Sequence, residues 1–242
     1  MSASPAARYR EAAPVAALRP SEYTAALIQG LKGRAGWVRG ADVLEIGSGS
    51  GVVLAALGEL GAASLCGVDI EADAVRSGLD LLDELGYGGV AECHHGDMWR
   101  PVAGRRFGLI AANLPHFPMV RADFTGRLPS WSFGGPDGRM LLDRFLKGLP
   151  EHLAPGGRAI VTHNAFVNLE LSRTIIEPLG LTLRVAATVM VHIPAEKAEL
   201  MTRAILQLED GRSIHRYGPY TFADMHIVEI AAPGALGCPV AC

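Results

Sequence analysis

The chain has 242 residues, of which 49% are hydrophobic and 19% are charged, and this composition fits one globular domain with a large core. Its net charge is −3 and its arginines are dispersed, which disfavours extended nucleic acid as a partner. No apolar run reaches the roughly 18 residues of a membrane helix, and no pattern of a secretory signal is visible. We therefore expect a cytoplasmic protein without a membrane partner.

Apolar periodicity predicts strands that alternate with helices. The predicted strands cover 42–46, 64–70, 90–95, 107–112, 158–162, 181–191 and 225–230. The predicted helices cover 20–31, 51–60, 72–85, 139–153, 166–179 and 196–208. Such alternation indicates a single α/β domain, in which a doubly wound, mostly parallel sheet carries helices on both faces.

The chain divides into four parts along this pattern. An N-terminal segment and helix (1–40) precede the core (41–193), and a C-terminal part (194–232) is expected to complete the sheet. The last residues (233–242) form a flexible tail, and residues 1–14, which are small and alanine-rich, are expected to be loosely ordered.

Four cysteines are too few and too scattered for a disulfide framework. Cys66 and Cys93 lie in predicted strands and are expected to be reduced core residues, as in a cytoplasmic protein. Cys238 and Cys242 lie in the tail, where no other metal ligands are near. No metal is expected there.

A glycine-rich turn follows the first predicted strand. The strand ends at Ile46, and glycines then occupy positions 47, 49 and 51 before a helix begins. Such a turn lets a ligand lie against bare backbone at a helix N-terminus. By itself the pattern also fits an ordinary tight connection in any α/β protein.

Polar side chains stand at the ends of four predicted strands: Glu45, Asp69, Asp97 and Asn113. In an open parallel sheet, ligands bind beyond the carboxyl ends of the strands, so these groups are expected to meet there. Asp69 is placed to accept hydrogen bonds from both hydroxyls of a ribose. Asp97 is placed to bind an adenine amino group, with Met98 over the face of the ring.

The acidic residue before the glycines discriminates between two nucleoside ligands. Glu45 would repel the pyrophosphate of a dinucleotide, whereas it suits the ammonium group of S-adenosylmethionine (SAM). The glycines also depart from the Gly-x-Gly-x-x-Gly pattern of dinucleotide-binding enzymes. The residues therefore favour SAM and methyl transfer over a nicotinamide cofactor and hydride transfer.

Four segments together resemble the motifs of class I SAM-dependent methyltransferases: 43–51, 67–70, 96–98 and 153–157. The resemblance implies a Rossmann-like sheet of seven strands, in which the last strand is antiparallel. With the residues already discussed, it implies the following cofactor-binding set: Glu45, Gly47, Ser48, Gly49, Gly51, Asp69, Ile70, Asp97, Met98 and Asn113.

The segment Asn113-Leu114-Pro115-His116 resembles the Asn-Pro-Pro-Tyr and Asn-Leu-Pro-Tyr motifs of methyltransferases that act on planar amino nitrogens. The nitrogen of an amide or exocyclic amine is a poor nucleophile, so catalysis consists mainly of alignment. The Asn113 side-chain oxygen and the Leu114 carbonyl could each accept one N–H, and Pro115 would stiffen the turn. His116 replaces the usual Tyr or Phe, and its ring could stack on the acceptor or act as a base.

The segment 133–139 is similar to the release-factor glutamine methyltransferases and their small-domain relatives, and Arg19-Pro20-x-x-x-Thr24 echoes an element upstream of their SAM motif. This echo adds Thr24 to the expected cofactor-binding residues. Those enzymes carry a separate N-terminal substrate domain, whereas about 40 residues precede the first strand here. The loop 117–137, with its aromatic residues Phe117, Phe124, Trp131 and Phe133, and the segment 194–230 are therefore expected to recognise the acceptor.

Several alternatives remain open at this point. The acceptor could be a protein side-chain amide or a small molecule, which are favoured, or a nucleic-acid base amine. A non-catalytic SAM-binding subunit and a nicotinamide dehydrogenase are the contrasting hypotheses. His163 and Asn164, after the fifth strand, are further site candidates, while a metal site at His94 and His95 is disfavoured because their spacing matches no standard ligand pattern.

Overall fold

The computed structural model describes residues 20–120 and 131–236. The expectations for residues 1–14, for Phe124 and for Cys238 and Cys242 lie outside these ranges. None of the helices in the described ranges is long and apolar enough to cross a membrane.

Helices and strands alternate through most of the fold. The helices are α1 (Glu22–Lys32), α2 (Ala35–Val38), α3 (Val52–Glu59), α4 (Ala72–Glu84), α5 (Met140–His152), α6 (Leu169–Ile176), α7 (Ala195–Leu200) and α8 (Arg203–Glu209). The strands are β1 (Asp42–Ile46), β2 (Ser64–Asp69), β3 (Ala91–His95), β4 (Phe107–Ala112), β5 (Leu153–Asn164), β6 (Thr182–Ile193), β7 (Ile214–Tyr217) and β8 (Tyr220–Ala231).

The strands form one sheet in the order β3-β2-β1-β4-β5-β8-β6. The first five strands along the chain are parallel, and β8 runs antiparallel to both of its neighbours, β5 and β6. The predicted α/β fold is therefore confirmed, including the antiparallel last strand that the family resemblance implied.

Helices cover both faces of the sheet. On one face, α1, α3 and α4 bury an apolar set that includes Leu27, Leu54 and Leu82. On the other face, α5 and α6 contribute Phe145 and Ile176 to a second apolar cluster. Because every central strand is covered twice, β4 is apolar throughout, as parallel strands in such folds are, whereas β1 also carries the acidic Asp42 and Glu45.

The sheet contains an eighth strand that the sequence analysis missed. Residues 214–217 (β7) pair with 220–223 of β8, on the edge of β8 that pairs with β5 from Met225 onward. The last strand is accordingly longer than the predicted 225–230. A four-residue strand with polar His215 and Arg216 carries too little apolar alternation to be recognised without its partner.

The predicted helix over 196–208 is wrong as a single element, because the chain breaks at Met201 and Thr202 between α7 and α8. The Met201 side chain is buried and its backbone bridges to Met119. The Thr202 N–H donates to the Pro118 carbonyl at 2.7 Å. These contacts to the segment after β4 outweigh the local helical preference. No local pattern in the sequence predicts them.

A buried ion pair network ties the antiparallel end of the sheet to the N-terminal helices. Glu229 of β8 is 1% exposed, and its two carboxylate oxygens accept hydrogen bonds from Arg34 (2.6 Å) and Arg184 (2.9 Å). Arg184 is the residue opposite Glu229 on β6. A buried carboxylate is tolerated when it is fully paired, so the loss of either arginine would leave part of the buried Glu229 carboxylate without a partner.

Gly51 is expected to be a stability-determining glycine. Its φ is +78°, and a Cβ atom there would lie 2.8 Å from the Cα atom of Gly78 on α4. We expect Gly51→Ala to cost about 1–2 kcal/mol for the left-handed backbone, plus about 1–3 kcal/mol for the steric clash. Gly40→Ala is the matched control, because Gly40 has a φ of +72° but no atom within 4 Å of the added methyl. Urea unfolding measures both, and equal losses would contradict the close approach of α3 and α4.

Candidate active site

The glycine-rich turn is held against the end of β2 by its backbone. The Gly47 and Ser48 N–H groups both donate to the Val68 carbonyl, at 2.8 and 3.1 Å. Gly47 and Gly49 have φ values of +75° and +51°, which L-residues with a side chain rarely adopt. The turn therefore leaves β1 sharply and presents backbone, without Cβ atoms, to the space above the sheet.

Asp69, the last residue of β2, connects this turn to the next helix. One carboxylate oxygen accepts the Gly49 N–H at 2.8 Å, and the other accepts the Glu71 N–H at 2.9 Å. A carboxylate oxygen can accept more than one hydrogen bond, so the half-buried Asp69 retains acceptor capacity toward a ligand. It both shapes the turn and faces the space beyond it.

A cavity of about 210 Å³ lies at the carboxyl ends of β1, β2 and β4. Its lining is mainly apolar, and its polar groups include the carboxylates of Asp69, Glu71 and Asp97 and the amide of Asn113. The following predicted site residues line it: Gly47, Gly49, Asp69, Ile70, Asp97, Met98, Asn113 and Pro115. This cavity is called the first cavity below.

Asp97 and Met98 form one side of the first cavity. Asp97 is exposed, and one of its carboxylate oxygens pairs with Arg144 of α5 at 2.6 Å. Met98 is 7% exposed and adopts a φ of +51°, which turns the chain sharply after β3. Their assignment to an adenine ring stays a prediction.

A small pocket of about 20 Å³ adjoins the glycine-rich turn and is lined by Thr24, Glu45 and Ser48. Burial, together with the neighbouring Asp69, raises the pKa of Glu45 well above its usual range. Among the described residues, no hydrogen-bond partner reaches Glu45 Oε2 or Ser48 Oγ. The Thr24 hydroxyl accepts the Ser21 N–H at 3.2 Å. A buried carboxyl oxygen without a partner fits the ammonium group of SAM, which would supply the missing donors.

Gly51 does not line either pocket. Its position against Gly78 shows that the third glycine of the turn allows α3 and α4 to approach. The expectation that Gly51 contacts the cofactor directly is therefore not supported by its location.

A second cavity, of about 370 Å³, lies on the other side of Asn113, Leu114 and Pro115. These three residues and Trp131 line both cavities. Apart from Pro194, the remaining lining residues are aromatic or polar, and they come from distant segments: Ser21, Glu22, Tyr23, His116, Phe117, Ser132, His192, Pro194 and Lys197. Of the aromatic residues predicted to recognise the acceptor, Phe117 and Trp131 line this second cavity, whereas Phe133 packs against the core.

The amide of Asn113 is fixed by the neighbouring strand. The Thr162 hydroxyl, 2% exposed on β5, donates to Asn113 Oδ1 at 2.8 Å. This contact leaves the oxygen a second lone pair for another donor. Asn113 is therefore held in one orientation at the boundary of the two cavities.

His116 lies in the wall of the second cavity and is only 2% exposed. Its ring lies 5.7 Å from the Tyr23 ring and 6.2 Å from the Phe117 ring, between centroids. Burial, with smaller effects of His163 and Lys197, lowers the pKa of His116 to about 3. The imidazole is neutral near pH 7, and such a low pKa makes it a poor general base.

His163 and Asn164 do not line either cavity and are fully buried. The Tyr23 hydroxyl donates to Asn164 Oδ1 at 2.9 Å, while a ring nitrogen of His163 bonds to the Ser172 hydroxyl at 2.8 Å. Asn164 therefore acts on the second cavity only indirectly, by fixing the Tyr23 ring in its wall.

The histidines considered for a metal site have other contacts. His94 Nε2 lies 3.1 Å from a Glu92 carboxylate oxygen, and His95 Nε2 lies 3.0 Å from the Ile70 carbonyl. Cys66, Glu92 and His94 do come close together, but Arg105 pairs with Glu92 at 2.5 Å. The guanidinium group brings a positive charge into that cluster, which opposes a cation.

Three residues that line the second cavity, and one that hydrogen-bonds to Asn113, carry no sequence signal of their own: Tyr23, His192 and Lys197, and Thr162. Each lies outside the recognised motifs and reaches Asn113 or its surroundings only through the fold. The sequence pointed only to the region that contains Lys197, because the segment 194–230 was expected to contribute to acceptor recognition.

Comparison with known proteins agrees with this geometry. No family model matches the chain. The chain is 30% identical over 157 residues to a candidate protein N5-glutamine methyltransferase of Methanocaldococcus jannaschii, an alignment that covers 64% of this chain and 77% of that protein. It is also 32% identical over 130 residues to the ribosomal protein uL3 glutamine methyltransferase of Bradyrhizobium diazoefficiens, covering 49% and 39% of the two chains.

Solved structures share the fold at low sequence identity. The E. cuniculi Mtq2–Trm112 complex, responsible for the methylation of the eRF1 translation termination factor, matches with a TM-score of 0.56 and 15% identity, over 89% of this chain and 98% of that one. A ribosomal protein L11 methylase of Lactobacillus delbrueckii matches with a TM-score of 0.54 and 16% identity, over 88% and 81%.

The chain belongs to the class I SAM-dependent methyltransferases, in the group that resembles the glutamine N5-methyltransferases. It is accordingly a methyltransferase whose cofactor is SAM. The hydride-transfer hypothesis is thereby replaced, in agreement with the interpretation of Glu45.

We expect Asp69→Ala to weaken SAM binding by about 1.5–3 kcal/mol, because it removes charge-assisted hydrogen bonds to the ligand and loosens the turn at Gly49. Isothermal titration calorimetry with SAM measures the change in affinity. Asp80→Ala, at an exposed position on the following helix, is the control. Unchanged affinity in Asp69→Ala would contradict the assignment of the first cavity to the cofactor.

His116 should make the protein less stable at acidic pH. Its pKa is lowered from 6.5 to about 3 by burial, so below pH 6.5 the unfolded chain binds a proton that the folded protein does not. The contribution to the free energy of unfolding falls by about 1.4 kcal/mol per pH unit between these values. We therefore expect His116→Phe to gain that amount over the wild type for each unit from pH 6 to pH 4, measured by urea unfolding.

The control for this measurement is His95→Phe, which replaces an exposed imidazole ring. A constant difference in stability between His116→Phe and the wild type across this pH range would show that His116 is not held neutral by burial.

Proposed function

We propose that this methyltransferase transfers the methyl group of SAM to the side-chain amide nitrogen of a glutamine in a protein. One observation carries the proposal: Asn113, Leu114 and Pro115 form the shared wall between the first cavity and the second. The names of the relatives in M. jannaschii and B. diazoefficiens support the same acceptor. Proteins of the translation machinery are the first acceptors to test, since the relatives are named for uL3 and eRF1.

The first cavity and the small pocket beside it hold the cofactor. When bound, SAM supplies an electrophilic methyl group on its sulfonium sulfur. Asp69 accepts hydrogen bonds from the ribose hydroxyls, and Asp97 accepts one from the adenine amino group. Glu45 takes the ammonium group, and this positive charge favours the ionised form of its carboxyl.

The second cavity presents the acceptor amide. Asn113 Oδ1 has one lone pair engaged by Thr162 and one left for an N–H of the acceptor. The Leu114 carbonyl accepts the other N–H, so the nitrogen faces the first cavity. Holding the reactants in this orientation contributes most of the rate enhancement, together with the stabilisation of positive charge on nitrogen.

No general base is required in this scheme. The acceptor nitrogen would bond to the methyl carbon as the carbon–sulfur bond of SAM breaks and S-adenosylhomocysteine leaves, and the acidified N–H would then lose its proton to solvent. His116 stays neutral and contributes an aromatic wall with Tyr23 and Phe117. This role matches the position that Tyr or Phe occupies in the related motifs.

A small planar molecule is the second candidate acceptor. The second cavity has a volume of about 370 Å³ and carries the aromatic rings of Tyr23, Phe117 and Trp131. Such a size and lining are within the range of sites for small ligands. Nucleic-acid base amines are less favoured, because the net charge of −3 gives no general attraction to phosphate backbones.

The proposal is tested with methyl-radiolabelled SAM and the extract of a strain that lacks this protein, so that the acceptor is unmethylated. We expect the label in protein and, after enzymatic digestion, in N5-methylglutamine. Asn113→Ala should lower turnover about 100-fold or more, by analogy with the loss of one precisely placed catalytic hydrogen bond. Its SAM affinity should change only a fewfold, because Asn113 is one of several polar groups that line the first cavity.

Thr162→Val is the matched positioning variant, because it keeps Asn113 and removes only the hydroxyl that orients it. We expect an intermediate loss of turnover. Label found only in the small-molecule fraction would favour the second candidate acceptor, and label found only in RNA would reject both. Loss of SAM affinity in Asn113→Ala would show that the acceptor contact is misplaced.

A further inference from the structure

We propose that Lys197 determines acceptor specificity by donating hydrogen bonds to main-chain carbonyl oxygens of the acceptor polypeptide in the second cavity. This inference rests on the proposed function and deepens it, because it names a recognition group outside the Asn113-Leu114-Pro115 segment. Its experimental test is separable from the test of glutamine methylation.

Lys197 is brought to the second cavity by tertiary contacts. It lies on α7 and lines the second cavity, with its amino nitrogen 4.3 Å from the centroid of the Phe117 ring. The end of α7 is anchored by Met201 against Met119 and by the Thr202 N–H on the Pro118 carbonyl. Both anchors lie on the segment that follows the acceptor-binding turn, so the position of Lys197 is coupled to that turn.

The Lys197 amino group has few partners for its charge. In residues 20–120 and 131–236, no carboxylate lies within 4 Å of it, and its described contact is the face of the Phe117 ring. Burial lowers the pKa of Lys197, while the neighbouring Glu196 opposes that shift. A cation–π contact compensates only part of the loss of hydration, and the three N–H donors of an ammonium group favour oxygen acceptors.

Glu22 is the acid in the wall of the second cavity, and its Oε2 accepts the His192 backbone N–H at 3.1 Å. Among the described residues, Glu22 forms no ion pair with Lys197. The Lys197 N–H donors are therefore open to oxygen atoms that the acceptor brings. A polypeptide offers neutral carbonyl oxygens next to a glutamine side chain, and these fit a cavity that holds one acid and one amine. Phosphate oxygens are the competing source, against which the net charge of −3 counts.

The experiment measures the rate of label transfer against the concentration of acceptor, using the total protein fraction of the deletion strain as the probe. Lys197→Met keeps the length of the side chain and removes its charge and donors. We expect it to raise the apparent KM for this fraction about 10- to 100-fold, the usual effect of losing a hydrogen bond to a charged group. The maximal rate and the SAM affinity should stay within about twofold.

Three further variants keep the test decisive. Lys197→Arg retains the charge and should restore the apparent KM to within a fewfold of the wild type. If Lys197→Met has a lower unfolding temperature than the wild type, Lys197→Gln replaces it in the measurement of the apparent KM. Lys32→Met, at an exposed position at the far end of α1, is the control and should change nothing.

Superimposable saturation curves for Lys197→Met and the wild type would overturn the inference, with glutamine methylation intact. A joint loss of maximal rate, SAM affinity and thermal stability in both Lys197→Met and Lys197→Gln would also overturn it, because it would show a structural role. Label that the wild type transfers only to RNA would reject the proposed function. A raised KM of Lys197→Met for that RNA would then assign the amine to a phosphate.

Discussion

The carboxylate of Asp69 is the contact on which the cofactor side of this protein depends. It accepts the backbone N–H groups of Gly49 and Glu71, and so it joins the turn after β1 to the chain after β2. Two adjacent parallel strands must end at the same height for one side chain to bridge them in this way. The parallel register of β1 and β2, with Ile46 opposite Val68, provides that condition. The ligand-binding capacity of the first cavity is then a consequence of how the turn is held.

The proposed acceptor site depends on one short segment that lines two cavities. Asn113, Leu114 and Pro115 line both cavities, so one short segment would face both reactants in the proposed reaction. Its orientation comes from Thr162 on the neighbouring strand. The far wall includes residues of α1 and α7, two helices that are distant in sequence and that both pack against β8. In the proposed scheme, acceptor specificity can therefore change through α7 without altering the residues of the first cavity.

Burial acts in opposite directions on the pKa values of two buried groups near the cavities, Glu45 and His116. It raises the pKa of Glu45 and lowers the pKa of His116, because in each case it disfavours the charged form. Glu45 lies beside unpaired polar groups and gains from a cationic ligand. His116 lies among aromatic rings and gains nothing from ionisation. The same physical effect thus leaves one group ready to bind charge and makes the other a neutral wall.

Local pattern in the sequence was sufficient for the α/β alternation, the glycine-rich turn and the polar strand ends, because apolar periodicity and residue chemistry are local properties. The residues of the first cavity followed from these, since parallel strands bring their carboxyl ends together. Tertiary structure alone decided the β7–β8 pairing, the break at Met201 and Thr202, and the packing of Gly51 on Gly78. It also decided that Thr162 hydrogen-bonds to Asn113 and that Tyr23 and Lys197 line the same cavity as Asn113. These outcomes depend on contacts between segments far apart in the chain, where long-range packing overrides or exceeds any local preference.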